Sequence, residues 1–329
     1  MKKHIFAIAG VLLTLSLILV GCAAEAADTT NGLQDTKNLS QQLLQLSSGE
    51  YEPLKIFVDE NIDDASSELA GAMVRALIDA AEKELAPANA YIYGEESRNI
   101  QNAITTAMTS DVIADGSSTF CGESKATLLD AMQDGEIKDH IAAWFASGFG
   151  LKNGEGTYFF VVDYPEYLEM YEEYVDSATA SFLNIAAAET EKATLVSEVL
   201  SVDANELGNR AIAYETFLTE YDDFPMKDHV RTYFNAVVSK LAYPTVFDRL
   251  VDEQGRATTE LMVVYERLAE RQDCPVLQQV AKNMLDFIAG QPDGVIAHGY
   301  DTDILSSNAS EVVKSAQEKA DTLYGALED

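Results

Sequence analysis

The string KDHIAAWF at residues 138–145 returns as KDHVRTYF at residues 227–234, eighty-nine positions later. Lys, Asp, His and Phe keep their places, while Ile exchanges for Val and Trp for Tyr. At the same offset Leu129 meets Leu218, and Asp134 meets Asp223, each just ahead of a helical pattern where an N-cap falls. Ile137, Ile141, Trp144 and Phe145 share one helical face, as do Met226, Val230, Tyr233 and Phe234. Further on, YPEYLEMYEEYVDSATASFL begins at Tyr164 and YPTVFDRLVDEQGRATTELM at Tyr243. Both open on Tyr-Pro, and both carry Ala-Thr at the same depth, as Ala178-Thr179 and Ala257-Thr258. Proline suits the first helical turn, where its missing N–H is needed least. The same order of short helix, connection, Tyr-Pro and long helix thus occurs twice. We read 124–195 and 213–273 as degenerate copies of one helical hairpin. Two copies are too few for a solenoid, so a packed helical bundle is expected.

Periodicity predicts helices at 62–86, 96–109, 124–133, 135–149, 165–200, 203–221, 224–241, 245–272, 275–289 and 309–327. Pro87 is expected to close the first of them. LKIFV (54–58), AYIYG (90–94) and TYFFVV (157–162) read as short strands, being rich in β-formers. GFGLKNGEG (148–156) reads as a turn into the last strand, and 290–308 as a loop by its Gly, Pro, Asp and Asn content. The fold class expected is mainly α with a small minority of β-strand. Its divisions are 23–50 as a polar tether (with a short helix within LQDTKNLSQQLLQL), 51–118 as a mixed α/β region, 119–290 as the helical body, and 291–329 as a loop and C-terminal helix.

The chain begins MKKHIFAIAGVLLTLSLILVGC. Lys2 and Lys3 precede an uncharged apolar run from Ile5 to Val20, too short to span a bilayer comfortably and suited to a secretion signal. The run ends in Leu19-Val20-Gly21-Cys22, which resembles the lipobox of bacterial lipoproteins. The resemblance covers residues 1–22 only. It implies cleavage before Cys22, acylation of that cysteine, and a mature chain held on the extracytoplasmic face of the cell membrane. The bilayer, reached through acylated Cys22, is then the first expected partner.

Acidic residues number 55 against 22 basic ones, for a formal net charge of −33. Nucleic acid is disfavoured as a partner, because phosphate binding needs clustered Lys and Arg. Anionic headgroups are repelled as well, so the body is expected to stand off the bilayer. Cys121 and Cys274 remain once Cys22 is acylated, an even number in a compartment that permits disulfides. They fit either a bridge closing a long loop or two buried thiols.

His140 and His229, paired by the repeat and each preceded by an Asp (Asp139, Asp228), are the candidate metal ligands, with Glu136 or His298 able to complete a set. Imidazole and carboxylate suit zinc or iron. No HExxH or Glu-x-x-His pair supports the site, and His140 stands at the edge of an apolar stripe. FVDENIDDASSE (57–68) spaces Asp59, Asn61 and Asp63 like the first calcium ligands, but Asp64 occupies the place of the required glycine. Tyr164, Tyr167, Tyr171 and Tyr174 continue into Ala178, Phe182 and Ile185, which marks a helix seam. Neither a GxSxG elbow nor a phosphate-cradling glycine loop occurs. A non-catalytic binding or scaffold role at the cell envelope is therefore expected, toward an envelope protein or ligand, with no cofactor. A zinc or iron protein using His140 and His229, hydrolytic or not, is the alternative.

Overall fold

Among the described residues of the computed structural model, thirteen α-helices are present, helix makes up 68% and short antiparallel strands 8%. It describes residues 29–108, 119–296 and 303–327. The fold is mainly α, as the periodicity predicts. The N-terminal helices are α1 (Thr29–Leu46), α2 (Tyr51–Asn61), α3 (Ser67–Ile92) and α4 (Ser97–Met108). After them come β1 (Thr119–Phe120), α5 (Ser124–Ala131), α6 (Glu136–Ala146), β2 (Phe149–Gly154), β3 (Thr157–Val162), α7 (Tyr164–Tyr171) and α8 (Ser177–Glu191). A two-stranded hairpin, β4 (Leu195–Val196) and β5 (Val199–Leu200), leads to α9 (Ala204–Glu220) and α10 (Lys227–Ala242). The chain then runs through α11 (Thr259–Ala269), α12 (Pro275–Ala289) and α13 (Asp303–Tyr324). One apolar cluster reaches from Leu43 in α1 to Tyr324 in α13.

Two expected strands are helical. Leu54, Phe57 and Val58 are buried together at helical spacing on α2, while Ile56 faces outward, so the period overrides the β-forming residue types. Likewise 90–94 falls at the end of α3, which runs through Pro87 to Ile92. A proline inside a helix costs about 3 kcal/mol. Full burial of Ala88 and Ile92 offsets that cost. Asn89 adds a specific reason for the helix to continue. Its amide donates to the Phe160 carbonyl at 3.1 Å and accepts from the Phe160 N–H at 2.9 Å. Gln101 on α4 does the same to Tyr158, with both distances 2.9 Å. The sheet order is β1-β2-β3, so β3 would present an open edge. These two amides close it with strand-like pairing from side chains.

The third expected strand forms as β3. It pairs with β2 from Phe149↔Val162 to Gly154↔Thr157. The loop between them is Glu155-Gly156, with φ of 53° and 83°. Two consecutive positive φ values suit a tight hairpin, because that turn matches the right-handed strand twist. Gly148, just before β2, also has a positive φ, 82°. A Cβ there would lie 2.2 Å from the Tyr167 hydroxyl, so only glycine lets the chain pass the Tyr51–Tyr167 pair.

The two long helices expected after Tyr-Pro are both interrupted. In the first stretch the chain forms α7 and then α8, because Asp176 caps α8 by accepting from the Thr179 N–H at 2.9 Å. In the second, residues 243–258 form turns before α11. Asp248, 3% exposed, holds them. It accepts from Lys240 at 2.9 Å, from the Thr245 hydroxyl at 2.6 Å and from the Leu200 N–H at 2.8 Å. Thr258 then caps α11. A helix stands in one stretch where turns stand in the other. The expected loop at 290–308 is shorter than its composition suggests, since α13 begins at Asp303.

Candidate functional site

The histidines do not meet. His140 on α6 is exposed, with Nδ1 3.0 Å from the Tyr91 hydroxyl and its ring edge-on to Tyr91. His229 on α10 places Nε2 3.5 Å from Glu82 Oε1 and lies edge-on to Phe182. Tyr91 and Glu82 stand nine residues apart on α3, roughly 13 Å along the axis at 1.5 Å per residue. Metal–nitrogen bonds of about 2 Å cannot bridge that separation. Asp139 is exposed and Asp228 half-buried. Among the described residues no group of three or more His, Cys, Asp or Glu could hold a metal ion. Cys22 and His298 lie outside the described residues.

Cys121 and Cys274 are free thiols, not a bridge. They sit in different surroundings. Cys121 follows β1 beside Asp163, Lys125 and Lys152, whereas Cys274 precedes α12 beside Glu215, Thr216 and Asp273. Burial pushes the Cys121 thiol far up, helped by Asp163. Burial and the carboxylates of Glu215 and Asp273 push Cys274 up to about 11. Both are protonated at neutral pH and unsuited to nucleophilic or ligand chemistry, which needs the thiolate.

The tyrosine series behaves as a seam. Tyr164, Tyr167 and Tyr171 are buried, and Tyr174 is left half-open. The Tyr167 and Tyr51 hydroxyls meet at 2.9 Å, and Tyr171 donates to Asp59 at 2.7 Å. Tyr164 points the other way and donates to Glu82 at 2.9 Å. That bond reaches the wall of a cleft of about 580 Å³.

Four parts of the fold build this cleft. α3 supplies Glu82 and Leu85. The sheet supplies Lys152, Val161 and Val162. The end of α8 supplies Glu189 and Thr190, and the start of β4 supplies Leu195. α10 supplies His229, Tyr233 and Ala236. The walls are chiefly apolar, with polar groups converging from different elements, the usual make-up of a small-molecule site.

The floor is fixed by Glu189, 9% exposed. It accepts from Arg210 at 2.8 Å, from the Thr194 N–H at 2.8 Å, and from the Thr194 and Tyr214 hydroxyls. Arg210 also reaches Glu206 and the Lys192 carbonyl. This buried ion pair is fully hydrogen-bonded, which such pairs require if they are to persist. It ties α8 to α9 and leaves the Glu189 carboxylate little capacity for a ligand.

Lys152 and Tyr233 stand differently. Lys152 is half-buried on β2, and among the described residues its ammonium donates only to the Thr190 carbonyl, at 3.3 Å. Burial lowers its pKa from the usual lysine range. The Tyr233 hydroxyl makes no hydrogen bond among the described residues, and its ring leans on Tyr214. Burial, with Glu189 and Glu82 nearby, pushes its pKa up to about 12. Sequence reading passes over both. Lys152 sits in a stretch that reads as a turn, and Tyr233 reads as part of an apolar helix face. A lysine set among Phe149, Gly150 and Leu151 on a buried strand was the one signal present.

No family model matches the chain, nor does any curated protein or solved structure.

Proposed function

We propose that this chain is a lipid-anchored protein of the cell envelope that binds a ligand in the cleft between α3, β3, α8 and α10, without catalysis. The observation that carries the binding role is the cleft's construction. Apolar walls surround a few convergent polar groups, held by the saturated Glu189–Arg210 frame. The hydroxyls nearest that frame are already committed. Thr190 donates to the Ala186 carbonyl at 2.9 Å and Thr194 to Glu189. His229 turns Nε2 toward Glu82 rather than toward a nucleophile. Binding suits this arrangement better than acyl or phosphoryl transfer, which needs a nucleophile beside its base.

The anchor rests on the lipobox resemblance at Cys22. Each buried methylene contributes about 0.8 kcal/mol, so two or three acyl chains hold a protein firmly at a membrane. Cells expressing the chain and fed labelled palmitate are expected to yield labelled protein in the membrane fraction. Cys22→Ser is expected to abolish the label. An unlabelled wild-type chain, or a Cys22→Ser variant labelled like wild type, refutes the anchor.

A further inference from the structure

We infer that the cleft takes a small amphiphile with a single carboxylate, its head on Lys152 and Tyr233 and its apolar part against Leu85, Val161 and Leu195. The inference rests on the binding role proposed above and adds the ligand's class.

The first ground is a cation without an anion. Several cations withdrawn from solvent in this chain hold carboxylates, although Arg267 and Lys319 do not among the described residues. Lys125 has Asp163 and Glu166, Lys240 has Asp248, Arg210 has Glu189, and Arg231 has Asp321. Lys152 has no carboxylate at ion-pair distance among the described residues, and Glu189 acts on it only from further off. An ammonium offers three donors and Lys152 spends one, on a carbonyl. Withdrawing it partly from water with no carboxylate in direct contact costs free energy, which an arriving anion returns.

The second ground is the Tyr233 hydroxyl, a donor with no acceptor among the described residues, in the same cleft. A carboxylate has two oxygens, one for each of these donors.

The third is the sign and number of the other charges. Glu82 already accepts from Tyr164 and faces His229, and Glu189 is saturated. Neither seeks a cation, and both repel negative charge on a ligand, once for a monoanion and twice for a dianion. A monoanion is therefore favoured over a phosphate dianion. The apolar side chains that complete the walls call for a hydrocarbon or aromatic body.

The test uses three water-soluble probes that differ only in the head: 4-phenylbutyrate, 4-phenylbutanol and 4-phenylbutylamine. Each is titrated calorimetrically into the purified full chain and into the Lys152→Met and Tyr233→Phe variants, with thermal melts to verify folding. The butyrate is expected to bind at least about tenfold tighter than the alcohol, and the amine not at all. Lys152→Met is expected to erase the preference for butyrate over alcohol, and Tyr233→Phe to weaken butyrate by about threefold while leaving the alcohol unchanged. Equal binding of butyrate and alcohol, tighter binding of the amine, or unchanged butyrate affinity in folded Lys152→Met overturns the head-group assignment and leaves the cleft as a binding site. No binding of any probe overturns the ligand class. The cleft's role as a site is lost with it only if cross-linking from Ala236 in cells, described in the Discussion, is also silent.

Discussion

Glu215→Ala is expected to lower stability by about 3 kcal/mol or more, the usual cost of stripping partners from a buried charged group. Glu215 lies in the middle of α9 and is fully buried. It accepts from the Val276 N–H at 2.6 Å and the Leu277 N–H at 3.0 Å, the first turn of α12. That turn has no cap of its own, because Cys274 offers no side-chain bond and Pro275 has no N–H. The Tyr324 hydroxyl on α13 donates to the same carboxylate at 2.7 Å. One side chain thus fastens three helices. Alanine leaves two buried N–H groups without acceptors. For a chain of this size the melting temperature should drop by roughly 10 °C. Tyr324→Phe removes one contact of the three and should cost about 1 kcal/mol.

The same residue gives a pH dependence of stated sign. Burial raises the Glu215 pKa above its ordinary value, against the pull of the two N–H groups, Tyr324 and Lys319. A raised folded-state pKa means that the fold favours the protonated form. The stabilisation from protonation is complete below the ordinary carboxylate range and is lost as pH rises through the folded value. Glu215→Gln should flatten that part of the stability curve while costing less than alanine. An unchanged slope in Glu215→Gln would show that Glu215 does not titrate there.

The second large effect is expected at Asp163. It is wholly buried and accepts from the Gly122 N–H at 2.9 and 3.1 Å, from the Glu166 N–H at 3.1 Å and from Lys125 at 2.8 Å. It caps α7 and locks the corner between β1 and α5 to the end of β3. Asp163→Ala should cost about 3–5 kcal/mol, because it breaks a buried pair and leaves the partner charge in place. Lys125 keeps Glu166 at 2.7 Å, which limits the damage. Asp163→Asn preserves volume and one acceptor and should cost roughly half as much. A double-mutant cycle with Lys125→Met, read by urea unfolding, should show coupling of about 1 kcal/mol or more. Additive losses would mean that the two side chains act independently.

Neither anchor is legible in the sequence, for a physical reason. Glu215 meets partners 61 and 109 residues away, and Asp163 meets Gly122 41 residues back. Local spacing carries no trace of such meetings. Periodicity does carry helices whose burial is one-sided. The spacing predicts 275–289, and α12 is Pro275–Ala289. It predicts 203–221, and α9 is Ala204–Glu220. It fails where a side chain outside the pattern decides. Asp248 holds turns where the spacing predicts a helix after Tyr243-Pro244. Asn89 belongs to a helix that proline was expected to stop. LKIFV misleads because residue type was weighed above the burial of Leu54, Phe57 and Val58 on one helical face.

The cleft is not legible in the sequence. His229 reads there as a metal ligand and Tyr164 as a seam residue, whereas in the structure His229 lines the cleft and Tyr164 bonds to Glu82 in its wall. The pairing of His229 with His140 misleads, because the recurring string puts the two imidazoles against α3 at separate points. Lys152 and Tyr233 carry the site's unspent donors, and a strand lysine or a helix-face tyrosine says nothing alone about what the fold leaves unpaired.

Whether the cleft holds a ligand can be measured in intact cells. A photo-reactive phenylalanine analogue in place of Ala236, in the cleft wall, is irradiated in intact cells, with the same analogue at exposed Leu44 as reference. The expected result is a discrete small-molecule adduct, identified by mass, on the chain modified at 236 and missing from the chain modified at 44. No adduct at 236, or the same adducts at both positions, would contradict a ligand site in the cleft.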